Sequence, residues 1–199
     1  MPNSNPNSRQ KLALQLMMQD PQDSVYINRP CYGYHGEPPT PCEPRWWTSA
    51  RYHPIIVTAL NDAIDKVQKN HGAKPLVLIG HSGGGSLAML VAQLRDDVVG
   101  VVTIAGNLDP DAWTHYHRYE ALSDSENPSL ASPLDSGIFR WHFVGKDDNN
   151  IPPALSAQAL TNDSDAELFT TDNGHNCCWV KQWPDILERL DQHQQRGAE

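Results

Sequence analysis

Two segments of the chain are apolar almost without interruption, and they predict buried β-strands. These segments are Pro75–Ile79 and Val98–Ala105, and continuous apolar runs are typical of parallel strands that are covered on both faces. The segment Ile55–Lys69 differs, because its apolar residues recur at a helical period, at Ile56, Leu60, Ile64 and Val67. That period predicts an amphipathic helix.

The rest of the chain continues this alternation of strands and helices. Further strands are predicted at Ser24–Asn28, Phe139–Val144 and Glu167–Thr170, and further helices at Lys11–Gln19, Ser86–Leu94, Pro153–Leu160 and Trp183–His193. Such alternation predicts an α/β fold, with a mainly parallel sheet and helices on both faces. We expect a single domain over residues 11–199, preceded by a disordered polar stretch over residues 1–10.

Composition and charge exclude several classes of protein. Of the 199 residues, 39% are hydrophobic and 20% are charged, which is typical of one globular domain. The formal net charge of −9 disfavours a nucleic-acid-binding surface. No apolar run approaches the roughly 20 residues that span a bilayer, and no secretory signal is visible at the polar N-terminus.

Four cysteines, Cys31, Cys42, Cys177 and Cys178, allow three complete pairings. A Cys31–Cys42 disulfide suits an oxidising compartment, and buried free thiols fit the sequence equally well. Cys177 and Cys178 follow His175 closely, but two adjacent cysteines rarely reach one zinc ion with proper geometry. We therefore expect no metal site and no cofactor.

The strongest chemical signal is the segment Gly80–Gly84, whose sequence is Gly-His-Ser-Gly-Gly. A G-x-S-x-G pattern between a strand and a helix is typical of a sharp turn that lifts a serine hydroxyl above the sheet. Ser82 is therefore the candidate nucleophile, and His81 is its neighbour in the turn. The helix that follows directs the Gly83 N–H towards any anion formed nearby, which makes Gly83 a candidate oxyanion donor. A glycine-rich turn without catalytic function is the alternative.

A nucleophilic serine needs a base, and the base needs an acid that orients it. His175 follows the last predicted strand, where a loop can return an imidazole over the sheet. The segment Gly145–Pro152 follows the preceding strand and offers two acids, Asp147 and Asp148. The resulting chain order of serine, acid and histidine is the order of one known class of hydrolases.

From Ser24 to its end, the chain resembles the α/β-hydrolase family. The residues that carry this resemblance are Gly-His-Ser-Gly-Gly at 80–84, the Gly-x-x-Asp-x-x-Ile-Pro pattern at Gly145–Pro152, and Gly174-His175. The resemblance implies that the acid is Asp148 and that Asp147 is a solvated neighbour. It also leaves Asp109 as a weaker substitute, because some family members place their acid after that strand.

The resemblance implies a function as well. The expected protein is a serine hydrolase that cleaves a carboxylic ester or a similar small acyl substrate through an acyl-enzyme on Ser82. An amidase or a peptidase of the same fold is an alternative. A nucleotide-binding protein is disfavoured, because Gly80–Gly85 lacks both the G-x-G-x-x-G pattern and the P-loop lysine. The resemblance extends loosely to bacterial hydrolases of the cell envelope, but no export signal is visible, so the location stays open.

The sequence departs from the family at the second oxyanion donor. In the family, this donor loop precedes a helix and a strand that Lys11–Gln19 and Ser24–Asn28 resemble. The donor loop would then lie before residue 1, so we expect a fold shortened at its N-terminus. A different loop, Arg29–Gly33, is an alternative source. We expect low activity and self-association through an exposed sheet edge, and a catalytically weak binding protein is the alternative function.

Two further segments carry open alternatives. Trp46 and Trp47, with Arg51 and Tyr52, either line an acyl pocket or pack around the start of a helix. The segment Asp109–His117 follows a strand end and is either a short lid over the serine or a solvated connecting loop.

Overall fold

The computed structural model describes residues 11–33 and 41–196, so the disordered stretch predicted for residues 1–10 lies outside the described residues. The described helices are α1 (Leu12–Met17), α2 (Pro54–His71), α3 (Gly83–Ala92), α4 (Pro110–His117), α5 (Pro153–Ala159) and α6 (Trp179–Arg196). The described strands are β1 (Leu76–His81), β2 (Val98–Ile104), β3 (Phe139–Gly145) and β4 (Ala166–Thr171). Two short 3-10 helices occur at Pro44–Trp47 and Pro128–Leu130.

The four described strands form one parallel sheet in the order β1-β2-β3-β4. In the register of the sheet, Ile79 lies opposite Val102, which lies opposite Trp141, which lies opposite Glu167. Because all three strand pairs are parallel, the carboxyl ends of the four strands meet at the same end of the sheet. The segments that follow β1, β2, β3 and β4 at this end are called the strand-end loops below.

Helices cover both faces of the sheet, so the predicted α/β fold is confirmed. Consecutive residues of a strand point to opposite faces. Val102 packs in a cluster with α1 and α6, where Trp179 and Trp183 are each 1% exposed. Val101 packs in a different cluster with α3. The core therefore consists of two apolar layers, one on each face of the sheet.

The strand predicted at Ser24–Asn28 is wrong, because these residues form no regular secondary structure. Val25 is 53% exposed. High β propensity describes the fit of a side chain to a paired, half-buried surface, and it does not replace a neighbouring strand. In the described part of the chain, β1 is an edge strand of the sheet. Self-association through this edge stays a prediction.

The residues that precede α2 (21–33 and 41–53, called the N-terminal segment) are held by a disulfide and by buried aromatic rings. Cys31 and Cys42 are bonded, with their Cα atoms 5.5 Å apart, which is the first of the two alternatives for this pair. Trp46 and Trp47 are each 7% exposed and pack with residues of α2 and α3. Their position agrees with packing around a helix start and not with an open acyl pocket.

The segment expected to be a lid or a solvated loop contains a helix, α4. Its start is explained by Asp109, whose Oδ1 accepts hydrogen bonds from the N–H groups of Asp111 and Ala112 at 3.1 and 3.0 Å. Pro110 follows at the first helical position, where a missing N–H costs nothing. None of the described helices is long and apolar enough to cross a membrane.

Candidate active site

Ser82 lies at the sharp turn between β1 and α3, as the G-x-S-x-G pattern predicts. Its φ of 54° and ψ of −123° are rare for a residue other than glycine. Three backbone hydrogen bonds hold this conformation. The Ser82 N–H donates to the Ile104 carbonyl at 3.0 Å, and the Ser82 carbonyl accepts from Gly85 and Asn107 at 2.9 and 3.1 Å. These hydrogen bonds therefore hold the strained backbone of the serine in place at the carboxyl end of the sheet.

Gly80 explains why the pattern starts with a glycine. A Cβ atom at position 80 would collide with the carbonyl oxygen of Gly84, because β1 and the first turn of α3 approach each other closely. A side chain at position 80 would push the helix away from the strand and displace Ser82. The first and last glycines of the pattern therefore lie in close backbone contact.

The structure brings together the three residues that the sequence predicts as nucleophile, base and acid. His175 Nε2 is 3.0 Å from Ser82 Oγ, and His175 Nδ1 is 2.8 Å from Asp148 Oδ2. The Asp148 side chain is fully buried and the His175 side chain is 16% exposed. Since an ionised carboxylate only accepts hydrogen bonds, Nδ1 carries the proton. The lone pair of Nε2 then faces the Ser82 hydroxyl.

The orientation of Asp148 is fixed by backbone donors of its own loop. Its Oδ1 accepts hydrogen bonds from the N–H groups of Asn150 and Ile151, at 2.8 and 2.7 Å. The second oxygen, Oδ2, is therefore free to face the imidazole. Charge-assisted bonds of this kind are stronger than neutral ones, so they hold the carboxylate in place.

The other two candidate acids have different surroundings. Asp147 is exposed, and its N–H donates to the Asn173 carbonyl at 3.1 Å. The Asp109 side chain caps α4 and accepts a further hydrogen bond from Asn127 Nδ2 at 2.8 Å. Neither carboxylate is hydrogen-bonded to His175.

His81, the neighbour of Ser82 in the turn, is hydrogen-bonded to the backbone of the candidate base. Its Nε2–H donates to the His175 carbonyl at 3.0 Å, and the two rings lie 5.2 Å apart. Burial lowers the pKa of His81 to about 4, so the ring is neutral at neutral pH and keeps a proton for this bond. Trp179 Nε1 donates to the same carbonyl at 3.2 Å. These two donors fix the backbone that carries the candidate base.

Asn150 contacts the site although no pattern in the sequence points to it. Its Nδ2 is 3.0 Å from His175 Nε2. Its carbonyl accepts hydrogen bonds from Trp113 Nε1 at 3.1 Å and from His117 Nε2 at 2.7 Å. Helix α4 is therefore attached to the loop of the acid. No local signal distinguishes this asparagine from its neighbour at position 149.

Gly83 is the first residue of α3, and the first N–H groups of a helix have no partner within it. Its role as an oxyanion donor stays a prediction. The Arg29–Gly33 loop, the alternative source of a donor, comes close to it: a Cβ atom at position 83 would lie 2.9 Å from Arg29 Nη2. Tyr52 approaches the same position.

No group of three metal-ligating side chains is found within residues 11–33 and 41–196. Cys177 and Cys178, which follow His175 in the sequence, are bonded to each other.

Solved structures with a similar fold include enzymes from distant organisms. An esterase from Pyrococcus furiosus has a TM-score of 0.50 and 14% identity, and the match covers 72% of this chain and 62% of that one. Mouse alpha/beta hydrolase domain-containing protein 10 has a TM-score of 0.54 and 16% identity, with 70% of each chain covered. The esterase domain of a Rhodothermus marinus protein has a TM-score of 0.51 and 18% identity, with 70% and 68% covered. At these identities the similarity shows the fold alone.

The match to this chain spans 62% of the length of the Pyrococcus furiosus esterase. No sequence among the curated proteins matches the chain significantly. The profile of the alpha/beta hydrolase family, in contrast, matches residues 19–190. This match includes the turn of Ser82 and the loops of Asp148 and His175, and by it the chain belongs to the alpha/beta hydrolase family.

Proposed function

We propose that this chain is a serine hydrolase that cleaves a carboxylic ester or a similar small acyl substrate. Ser82 is the nucleophile, His175 is the general base and Asp148 orients the base. The observation that carries the proposal is one continuous chain of hydrogen bonds, from Asp148 Oδ2 through the imidazole to Ser82 Oγ, with distances of 2.8 and 3.0 Å. These distances suit proton transfer between a hydroxyl and a base.

In the first half of the reaction, the Ser82 oxygen attacks the carbonyl carbon of the substrate. His175 Nε2 accepts the hydroxyl proton, and Asp148 stabilises the imidazolium that forms. When the tetrahedral intermediate collapses, the bond between carbon and leaving group breaks. The leaving alkoxide takes the proton from His175, which leaves an acyl group on Ser82.

In the second half, a water molecule replaces the alcohol. His175 removes a proton from the water as its oxygen attacks the acyl carbon, and then returns this proton to the Ser82 oxygen. The products are the carboxylic acid and the free enzyme. Two of the similar structures are named esterases, which agrees with an ester substrate, and amide cleavage follows the same steps.

The proposal is tested by labelling the folded protein with a fluorophosphonate, which reacts covalently with activated serines. Intact and peptide mass spectrometry would follow the wild type and Ser82→Ala. We expect one adduct per chain on Ser82 and none in the variant. Loss of the nucleophile in such a unit typically lowers kcat by about a millionfold, so ester turnover should vanish with the label.

Heat-unfolded wild-type protein is the control for unspecific reaction, because the activated serine exists only in the fold. Absence of an adduct on the folded wild type would contradict the proposal and favour a hydrolase-like binding protein. Equal labelling of Ser82→Ala would show that a different nucleophile reacts.

A further inference from the structure

Two side chains of the N-terminal segment meet the start of α3 beside Ser82. A Cβ atom at position 83 would lie 2.6 Å from Tyr52 Oη and 2.9 Å from Arg29 Nη2. Both distances are too short for a real Cβ contact, so glycine at this position makes room for the two polar groups. The hydroxyl and the guanidinium therefore lie next to the residue that follows the proposed nucleophile.

Tyr52 is buried, and none of the described residues forms a hydrogen bond with its hydroxyl. Tyr52 is 1% exposed. Its backbone is fixed, because its N–H donates to Ser125 Oγ at 3.0 Å and its carbonyl accepts from the Glu126 N–H at 3.1 Å. In the part of the chain that the structure describes, the phenol has no hydrogen-bond partner. A tyrosine buried to this extent normally has one, so the hydroxyl is available for a ligand atom at the site.

Arg29 brings a positive charge without a paired carboxylate among the described residues. Its Nη1 donates to the Tyr32 hydroxyl at 3.1 Å. The guanidinium carbon lies 4.9 Å from the ring centre of Tyr32 and 5.5 Å from that of Tyr52. These ring contacts hold the cation in place. Its second nitrogen, Nη2, has no hydrogen-bond partner in residues 11–33 and 41–196, and it is the atom that faces Gly83.

We propose that the Tyr52 hydroxyl and the Arg29 guanidinium are the oxyanion donors that complete the site with the Gly83 N–H. This inference rests on the proposed serine hydrolase function. The family resemblance placed the second donor before residue 1, and the Arg29–Gly33 loop was the alternative source; the inference assigns the role to side chains of Arg29 in that loop and of Tyr52.

The donors act on the charge that develops during the reaction. As the Ser82 oxygen bonds to the carbonyl carbon, the electron pair of the C=O bond moves to the carbonyl oxygen. Tyr52 and Arg29 donate hydrogen bonds to this oxygen and transfer no proton to it, so they are unchanged when the C=O bond forms again. Donors that are already fixed in a dry site stabilise such a charge most effectively.

Neighbouring contacts hold the two proposed donors beside Gly83. Arg29 begins a turn in which its carbonyl accepts a hydrogen bond from the Tyr32 N–H at 3.1 Å. Cys31 lies in this turn and is bonded to Cys42, close in sequence to the buried rings that pack with Tyr52. The disulfide therefore links the donor on the turn to the donor that precedes α2.

The test compares Arg29→Met, Tyr52→Phe and the double variant in the full chain, with a neutral ester as substrate. Loss of one oxyanion donor typically costs about 10²–10³-fold in kcat. Because the two side chains share the task, we expect each single variant to lose about 10-fold or more and the double variant to reach that range. KM should change little, because the interaction forms only in the transition state.

Arg45→Met and Tyr119→Phe are matched controls. Arg45 also lies over an aromatic ring, 4.2 Å from that of Trp46, and Tyr119 is 58% exposed. Both controls should keep the wild-type kcat. Thermal unfolding of all variants, with Arg29→Lys as a milder change, separates a lost donor from a lost fold. Folded variants of Arg29 and Tyr52 with wild-type kcat would overturn the inference.

Two results separate oxyanion stabilisation from a structural role of Arg29 and from substrate binding. Added guanidinium at millimolar concentration should raise the kcat of Arg29→Ala and leave the controls unchanged, which a purely structural role would not produce.

A loss confined to anionic esters and to KM would instead mean that Arg29 binds a charged group of the substrate, which contradicts the proposal. If the wild type is not labelled at Ser82, the proposed function fails, whereas a labelled wild type with unaffected donor variants overturns this inference alone.

Discussion

The strand-end loops and the N-terminal segment hold their polar groups by different means. The backbone around Ser82 is hydrogen-bonded to β2 and to the turn that follows, and the loop of Asp148 is hydrogen-bonded to that of His175. The N-terminal segment contains no strand among its described residues, and its shape depends on the Cys31–Cys42 disulfide and on buried aromatic rings. Backbone hydrogen bonds of the strand-end loops therefore position the proposed nucleophile, base and acid, whereas cross-linking and packing position the proposed oxyanion donors.

This difference separates two kinds of catalytic effect. Changes in the strand-end loops should remove the proton transfer that activates the serine. Changes in the N-terminal segment should leave the serine reactive and weaken the stabilisation of the transition state. The following predictions are ordered by the size of the expected effect.

Among the changes that keep Ser82, the largest effect is expected from Asp148→Asn. An amide at this position can donate a hydrogen bond to His175 Nδ1, which favours the wrong tautomer and leaves Nε2 unable to accept the serine proton. A change of this type typically lowers kcat by about 10⁴-fold. Steady-state kinetics with an ester would measure it.

Asp147→Asn is the matched control, because the neighbouring carboxylate is exposed and makes no hydrogen bond to the imidazole. It should keep the wild-type kcat. A large loss in Asp147→Asn, with Asp148→Asn still active, would show that the acid has been misassigned.

A smaller effect is expected from Gly83→Ala. The new methyl group would occupy the space of Tyr52 Oη and Arg29 Nη2, so both groups must move away from the site. We expect kcat to fall by about 10²–10³-fold, while the fold is kept because the change adds a good helix former to α3. The comparison is Gly84→Ala, since a Cβ atom at position 84 meets nothing within 4 Å. Equal activity of the two variants would argue against donors at this position.

The regular part of the fold is predictable from the sequence, for local reasons. Buried strands are marked by apolar runs, and the Ser82 turn is marked by glycines whose close approach leaves no room for a side chain. Because the carboxyl ends of parallel strands meet at one end of the sheet, the order of the strands alone predicts that the loops of Asp148 and His175 lie near Ser82.

The N-terminal segment is not predictable in this way. Arg29 and Tyr52 approach Gly83 through loop conformation and a disulfide, which leave no periodic pattern in the sequence. The same holds for Asn150 in the loop of Asp148, which reaches His175 through a single hydrogen bond. The strand prediction at Ser24–Asn28 is wrong for a related reason. Strand propensity is a property of the local sequence, whereas a strand also needs a neighbouring strand to pair with, which the local sequence does not show.

The smallest effect is expected from Cys31→Ser combined with Cys42→Ser. Removing a cross-link that closes a short loop should lower the free energy of unfolding by about 2–3 kcal/mol. The kcat should also fall, because the Arg29 turn is no longer held against Gly83, and labelling of Ser82 should persist. Urea unfolding and ester kinetics would measure the two changes. An unchanged kcat in the folded double variant would show that the disulfide does not position the donor.

The most direct measurement is a crystal structure of the protein after reaction with a phosphonate. The phosphorus should be bonded to Ser82 Oγ, because its tetrahedral geometry imitates that of the intermediate. We predict that the phosphonyl oxygen accepts hydrogen bonds from the Gly83 N–H, the Tyr52 hydroxyl and the Arg29 guanidinium. A phosphonyl oxygen that points to solvent, or an adduct on another residue, would contradict this prediction.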